Sequence, residues 1–418
     1  MATVGTAGGV AILRRLLAYA ERVYGLGAML EAIQDLRQAA RIKTLTVVRA
    51  VVVMALARMG SLNRVEQSKR NLYWKTWLGV PVPSADTLGR VAAVLDGAGL
   101  RRALRQVYRR RKRNKSVTPP DGGLIALVLD GHECACSDWQ QWPGCLERQI
   151  KTPKGSHPQY YQRMVVASLV FQGGCLLLDA EMQEPGEDEV AAATRLYERV
   201  VEAYPRAFQV VVADGLYVRS DFFHRVLAHH KDIIAVLKDE RRELLTDARS
   251  LLQEVKPKTF SAGATRYECW DIDGLTSWAS LGRPVRVVRS VETTPVKRHL
   301  TGKPEKKTSE WIWVTTLTAQ RASTRTVVRL GHGRWSIENE GGFNDLVNVW
   351  NADHVYKHDV NAMLAFWLLT LLAYNLFHAF HALNLKPILR LRLTMSYLLD
   401  LVTTDFYQHE DLQHSHPP

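Results

Sequence analysis

The chain has 418 residues, 46% apolar and 23% charged, enough for two or three domains with buried cores, which excludes a disordered chain, a collagen repeat and a coiled coil. Its formal charge of +13 predicts a polyanionic partner, nucleic acid or an anionic membrane surface. Residues 1–120 carry 22 Lys and Arg against 6 Asp and Glu, whereas the remainder carries 33 against 36, so the partner-binding face is expected mainly in the N-terminal part.

From Ala11 to Met59 apolar residues recur at helical spacing, which predicts two or three helices. Gly79-Val80-Pro81-Val82-Pro83 breaks the pattern. Ser84 then stands as the N-cap of a short helix that Gly97 and Gly99 are expected to close. Residues 101–115 hold nine Lys or Arg in fifteen positions. Such a stretch is either a solvated linker or a phosphate-contacting surface, because clustered cations release counterions from DNA whatever its sequence. Arg109, Arg110, Arg111, Lys112 and Arg113 form its densest run. Pro119 to Gly123 ends a basic helical domain, residues 1–118.

Beyond that break the pattern changes to strands. LIALVLD (124–130) is a continuous apolar run ending in an acid, as expected of a strand covered on both faces. MVVASLVF (164–171) and CLLLDAEM (175–182) flank a hairpin turn at Gly173-Gly174. DEVAAATRLYERVVEAY (188–204) has helical spacing, and QVVVAD (209–214) is a second buried strand ending in Asp. A helix capped by Ser220 and the strand DIIAVLK (232–238) follow. This order predicts a mixed α/β sheet with helices on its faces over residues 119–240.

After a helix ending near Val255, the segments TRYECWDIDGL (265–275), PVRVVRSVETT (284–294) and EWIWVTTL (310–317) are short and rich in β-formers, which predicts a β-rich insertion over 241–320. Helices return from Ser323, and residues 321–400 are expected to pack back on the sheet. The apolar run from Ala362 to Phe380 is interrupted by Asn375 and His378, and unpaired polar groups are costly in lipid, so it reads as a buried core helix rather than a membrane span. Residues 401–418 read as a tail.

Five cysteines, Cys134, Cys136, Cys145, Cys175 and Cys269, are an odd number, and the N-terminus lacks an apolar signal core, so a reducing cytoplasm is the expected location. His132-Glu133-Cys134-Ala135-Cys136 with Cys145 has the residue types of a zinc site, but no second pair downstream completes four ligands. The simpler reading is a loop after the first strand. No G-x-S-x-G, P-loop or G-x-G-x-x-G stands at a strand-to-helix junction.

Asp130 and Asp214 each end a buried apolar strand and precede a glycine. If those strands are neighbours, both carboxylates emerge at one sheet edge. There they either start Asp-Gly turns or share a hard cation such as Mg²⁺, which relieves their repulsion and takes oxygen ligands from protein and phosphate. In Arg334-Trp335-Ser336-Ile337-Glu338 the Arg and Glu lie four apart on one helical face. That spacing suits an ordinary ion pair, or a third carboxylate with a cation one turn away.

LVLDG (127–131), VVADG (211–215) and GRWSIENEGGFNDL (333–346) resemble the catalytic segments of the DDE transposases of bacterial insertion sequences, in the group with a β-strand insertion between the second Asp and the Glu. The resemblance spans about residues 120–385 in motif order and spacing. It implies a ribonuclease-H-like α/β fold: a mixed sheet flanked by helices, with a β-rich insertion and a helical N-terminal domain. Asp130 on the first strand, Asp214 after the fourth and Glu338 on the C-terminal helix would be the catalytic and metal-binding triad, and Arg334 would contact DNA phosphate near the cleaved end. Two Mg²⁺ or Mn²⁺ ions would activate the attacking oxygen and stabilise the leaving one. The partners implied are the terminal inverted repeats of the element and target DNA, with a homodimer bringing two ends together; no membrane partner is expected, and the location is the cytoplasm, on the nucleoid.

Two positions of the extended signature differ: Gly331 stands where the family has Tyr, and Asp345 where it has Lys. His332, Tyr356 and Lys357 are the neighbours available to stand in. Glu340 competes with Glu338 but lies about 200° further round an ideal helix. The alternatives to a working transposase are a transposase-derived DNA-binding regulator that does not cut, and a ribonuclease-H-like nuclease that cuts without joining.

Overall fold

Among the described residues, the strand-like runs of the sequence fold into one mixed sheet of ten strands. The computed structural model describes residues 12–120, 123–153, 155–238, 242–297, 304–339 and 342–408, without the side chains of residues 304, 334–339 and 343. Its strands are β1 (Ala126–Ser137), β2 (Leu146–Thr152), β3 (Gly155–Phe171), β4 (Gly174–Met182), β5 (Val210–Ala213), β6 (Asp232–Val236), β7 (Lys258–Ala262), β8 (Thr265–Leu275), β9 (Val285–Lys297) and β10 (Pro304–Thr315). They lie in the order β2-β3-β1-β5-β6-β10-β9-β8-β7, with β4 paired to β3. β1, β5 and β6 run parallel, and every other pair is antiparallel. Helices cover both faces, so the fold is the mixed α/β, ribonuclease-H-like sheet expected from the sequence.

Among the described residues, the α-helices before the sheet are α1 (Ile12–Tyr24), α2 (Leu26–Glu31), α3 (Thr44–Leu56), α4 (Leu62–Gln67), α5 (Leu72–Leu78), α6 (Ala85–Ala92) and α7 (Gly97–Arg113). α8 (Glu189–Ala203) and α9 (Ser220–Ala228) alternate with the parallel strands, and α10 (Glu243–Leu252) opens the insertion. α11 (Thr324–Asn339), α12 (Phe343–Asn348), α13 (Val360–Asn384), α14 (Pro387–Arg392) and α15 (Met395–Tyr407) close the described chain.

The parallel strands are buried on both sides, as their continuous apolar runs require. Leu127, Leu129, Val211, Ala213, Ile233 and Ala235 belong to the large core that includes α8 and α13. Ala126, Val128, Val210, Val212 and Ile234 form a smaller core with Val327, Val328 and Leu330 of α11. Even-numbered positions of β1 and β5 therefore face α11.

α13 is apolar and long enough to cross a membrane by composition, yet 83% of its most apolar window is buried inside the protein. α1, α3, α6 and α7 pack around it. The polar interruption at Asn375 is satisfied by the sheet: its Nδ2 donates to the Leu177 carbonyl at 2.7 Å and its Oδ1 accepts from the Leu177 amide at 3.0 Å. The amide thus closes part of the outer edge of β4 from within the core. Losing it would strand two backbone groups, at roughly 1–3 kcal/mol each.

Several expectations change. Residues 131–137 are strand, not loop: β1 continues past Asp130 to Ser137, held by β3 through Ser137 opposite Tyr160. β2 was not anticipated, so Asp214 follows the fifth strand in chain order. Gly97 and Gly99 open α7 rather than closing α6, because Asp96 caps the new helix by accepting from the Ala98 and Gly99 amides. Ser84 does cap α6, accepting from Thr87. Ser220 is the first helical residue of α9; Arg219 holds the cap position without a side-chain bond. The β-rich insertion is an extension of the main sheet, since β10 pairs with β6. The segment read as a tail is helical as far as Tyr407, with Leu399, Val402 and Phe406 buried in the same core as Leu13 and Leu16 of α1. Residues 409–418 lie outside the described residues.

Candidate active site

Register decides whether the two strand-ending aspartates meet. Ala126, Leu127 and Val128 of β1 stand opposite Val210, Val211 and Val212 of β5, an offset that carries Asp130 to the level of Asp214. In a parallel pair, residues at one level point to one face. Both positions continue the even-numbered set that faces α11. The same level runs on through Val236 of β6, Trp313 of β10, Val288 of β9 and Asp271 of β8.

α11 completes this face. β10 ends at Thr315, opposite Ile234 near the start of β6, and α11 begins nine residues later. The helix then climbs with the direction of β1, β5 and β6, so that Gly331 lies against Trp313. Arg334 and Glu338 follow within the next two turns of the helix. Their side chains lie outside the described residues, as does Glu340.

The glycine after Asp130 stays in strand, whereas the one after Asp214 opens a short 3-10 turn, Gly215–Tyr217, that Asp214 caps; both approach neighbouring chain closely. Gly131 remains in β1, and neither it nor Gly215 is among the residues with positive φ. A Cβ at 131 would run into the Glu189 carboxylate, and one at 215 would stand 2.9 Å from Lys238 Cε and 3.1 Å from the Val236 carbonyl oxygen. Asp130-Gly131 is thus not a turn, while Asp214-Gly215 starts one, and close neighbours leave no room for a side chain at either glycine.

Side chains missed in the sequence surround the pair. Lys238 Nζ lies 3.3 Å from Asp214 Oδ2, and Asp214 Oδ1 accepts from the Leu216 amide. Tyr217 is fully buried and donates its hydroxyl to Glu189 Oε1 at 3.1 Å, while Arg163 reaches Glu189 Oε2 at 3.3 Å. Burial pushes the Tyr217 phenol well above its usual range, and the charges of Glu189, Asp130 and Asp214 add to the effect. One signal for Lys238 was legible. LVLD, VVAD and AVLK each end a buried run in a charged residue, and parallel neighbours bring those ends to one edge.

A family model described as a transposase DDE domain matches residues 130–376, more than half of the chain and beginning at Asp130. The chain belongs to the DDE transposase family. No curated protein matches it.

In this transposase the basic run of residues 101–115 is the second half of α7 and the turn after it. Arg109, Lys112 and Arg113 are exposed and Arg110 is half-buried. Arg111 is the exception: it is buried, with its guanidinium 5.0 Å from the centre of the Phe171 ring, and so it is removed from the expected DNA-facing set. Arg101 is also turned inward, its Nε 2.8 Å from Asp179 Oδ1, while Arg199 of α8 takes Asp179 Oδ2 at 2.7 Å. Asp179 thereby ties α7 to α8 across β4.

Of the residues considered as stand-ins for the family Tyr and Lys, Tyr356 donates to the Asn351 carbonyl at 3.4 Å and Lys357 lies along Gly89. His332 contacts Glu292, Trp311 and Trp313. Asp345, at the family Lys position, is half-buried and its carboxyl is raised by that burial. Trp74 is core, donating to Ser68 Oγ at 3.0 Å. The cysteine cluster is in strand: Cys134 is buried against the Gln162 carbonyl and Cys136 is exposed. Among the described residues no group of three His, Cys, Asp or Glu is placed to hold a metal. With Glu338 outside that set, the carboxylates at the aspartate edge are two hard oxygen donors with an ammonium drawn to one of them, a donor set that suits Mg²⁺ or Mn²⁺.

Proposed function

We propose that this transposase cuts the ends of its element and joins them to target DNA through Asp130, Asp214 and Glu338. The observation that supports this best is the register of β1 and β5, which brings Asp130 and Asp214 to one level on the face beneath α11. Asp130 and Asp214 would hold divalent cations with Glu338, and Lys238 would leave Asp214 as a cation arrives. Two bound ions would supply activation of the attacking oxygen and stabilisation of the leaving oxygen. Arg334, one turn before Glu338, would hold the phosphate beside the scissile bond. Arg109, Lys112 and Arg113 of the N-terminal helical part would supply affinity for DNA of any sequence. A homodimer would bring two ends together, in the cytoplasm and on the nucleoid.

The test is nicking of a duplex carrying the terminal inverted repeat, with Mg²⁺ or Mn²⁺, followed by joining to a target plasmid. Ala at Asp130, Asp214 or Glu338 should lower nicking by about 10³-fold, as is typical when a charge-stabilising group is removed, with DNA binding retained in a gel-shift assay. Full nicking in any one variant removes that residue from the triad. Binding without nicking by the wild type would identify a non-cutting regulator, and nicking without joining a nuclease.

A further inference from the structure

The insertion touches α11 at two separate levels. At the start of the helix, the buried Arg286 of β9 is paired with Asp271 of β8, through Nε at 2.8 Å and Nη2 at 2.7 Å, and it donates from Nη1 to the Ala322 carbonyl at 2.6 Å. Thr324 Oγ1, on the first residue of α11, donates to the same Asp271 at 2.5 Å. Two turns later, His332 Nε2 meets Glu292 Oε1 at 2.5 Å, and the Ser290 hydroxyl donates to that carboxylate at 2.7 Å. Glu292 and Ser290 are buried.

Between these grips the fit is tight. Trp313 is buried, and a Cβ on Gly331 would stand 2.5 Å from its Nε1 and 2.6 Å from its Cε2. Only a residue without a side chain lets α11 lie this close to β10. The indole therefore fills the space that any side chain at 331 would need, which accounts for Gly at the position where the family signature has Tyr. Trp311 stacks on Trp313 at 6.1 Å, and His332 stands edge-on to both rings at 5.5 and 5.1 Å.

We propose that the β-insertion sets the axial position of α11, and through it that of Glu338, with Glu292, His332 and Trp313 acting as positioning residues for strand cleavage. Packing against the parallel strands is made by Val327, Val328 and Leu330, whose apolar contacts resist sliding weakly. The directional contacts, two buried hydrogen-bonded carboxylates and a backbone-to-indole fit, come from β8, β9 and β10. Movement of the insertion would be transmitted to the end of α11 one to two turns further on. This inference rests on the proposed role of Glu338.

The experiment uses the full chain and has two readouts, hydrogen exchange of the amides of residues 324–333 and the kcat and KM of nicking. Glu292→Ala and Gly331→Ala should raise exchange along α11 while leaving α13 protected. They should lower kcat by tenfold or more, up to about 10²-fold for a displacement near 1 Å, with KM within about twofold. Adding Trp313→Phe to Gly331→Ala makes room for the new methyl group and should recover at least tenfold of the missing rate, which a general loss of folding would not permit. Unchanged exchange in both single variants overturns the grip, and raised exchange with wild-type kcat overturns its catalytic consequence. A wild type that does not nick would overturn the triad reading and leave exchange to decide the grip.

Discussion

Replacing Asp130 by Asn keeps the shape of the side chain and removes its charge. The register of β1 and β5, paired as far as Val128 and Val212, carries Asp130 to the level of Asp214, and neighbouring strands run about 4.8 Å apart. Two carboxylates about 5 Å apart repel by about 3 kcal/mol at an effective dielectric of about 20. Lys238 lies 3.3 Å from Asp214, whose side chain keeps 24% of its exposure, so ammonium and water screen part of that repulsion. Asp130→Asn removes this repulsion, a contribution of at most about 1–2 kcal/mol to the metal-free protein after screening. The response to Mn²⁺ carries the test. At ten times its dissociation constant the ion should stabilise the wild type by about 1.4 kcal/mol through linkage, and the variant by a small fraction of that. Unfolding midpoints in chelator and in Mn²⁺ give both quantities. A variant that still shows the full Mn²⁺ response would refute the shared-cation geometry.

Reversing Arg109, Lys112 and Arg113 to Glu should weaken binding to any DNA and reduce the slope of log K against log salt by about 0.9 for each phosphate no longer neutralised. Arg111→Ala should instead lower the unfolding midpoint, because its guanidinium lies buried over Phe171; an equal change in salt slope for Arg111 and the exposed three would contradict this. Burial holds His378 down to about 3, with His381 and Arg111 adding to the effect, so the folded chain keeps its ring neutral where the unfolded chain takes up a proton near 6.5. Stability should therefore fall as pH drops from about 6.5 towards 3. His378→Phe, which keeps a ring against Tyr374, should flatten the decline between pH 7 and 5. Parallel pH profiles for the two proteins would count against a neutral His378 in the folded chain.

The buried strands and the charged groups that end them were legible in local pattern alone. A run such as LVLD or VVVAD has no polar position to turn to solvent, and an acid at its end must stand where water or a cation meets the sheet. The hairpin at Gly173, the cap at Ser84 and the buried helix around Asn375 were legible for the same reason, since each depends on residues close in sequence. The bond from Asn375 to Leu177 was not, because its partner lies 198 positions away.

What the linear pattern left open was decided by contacts between distant segments. The 84-residue offset that aligns Asp130 with Asp214 is a property of two strands in register, and a slip of one residue would have turned one carboxylate to the opposite face. Nine cations in a row read alike, yet α7 packs against β4 and α13, which puts Arg111 in the core and Arg109 in water. Gly331 is a helical glycine of no obvious purpose until Trp313, eighteen positions earlier, is seen against it. Periodicity reports how much of a segment is buried; only packing determines which neighbour buries it and where its side chains meet.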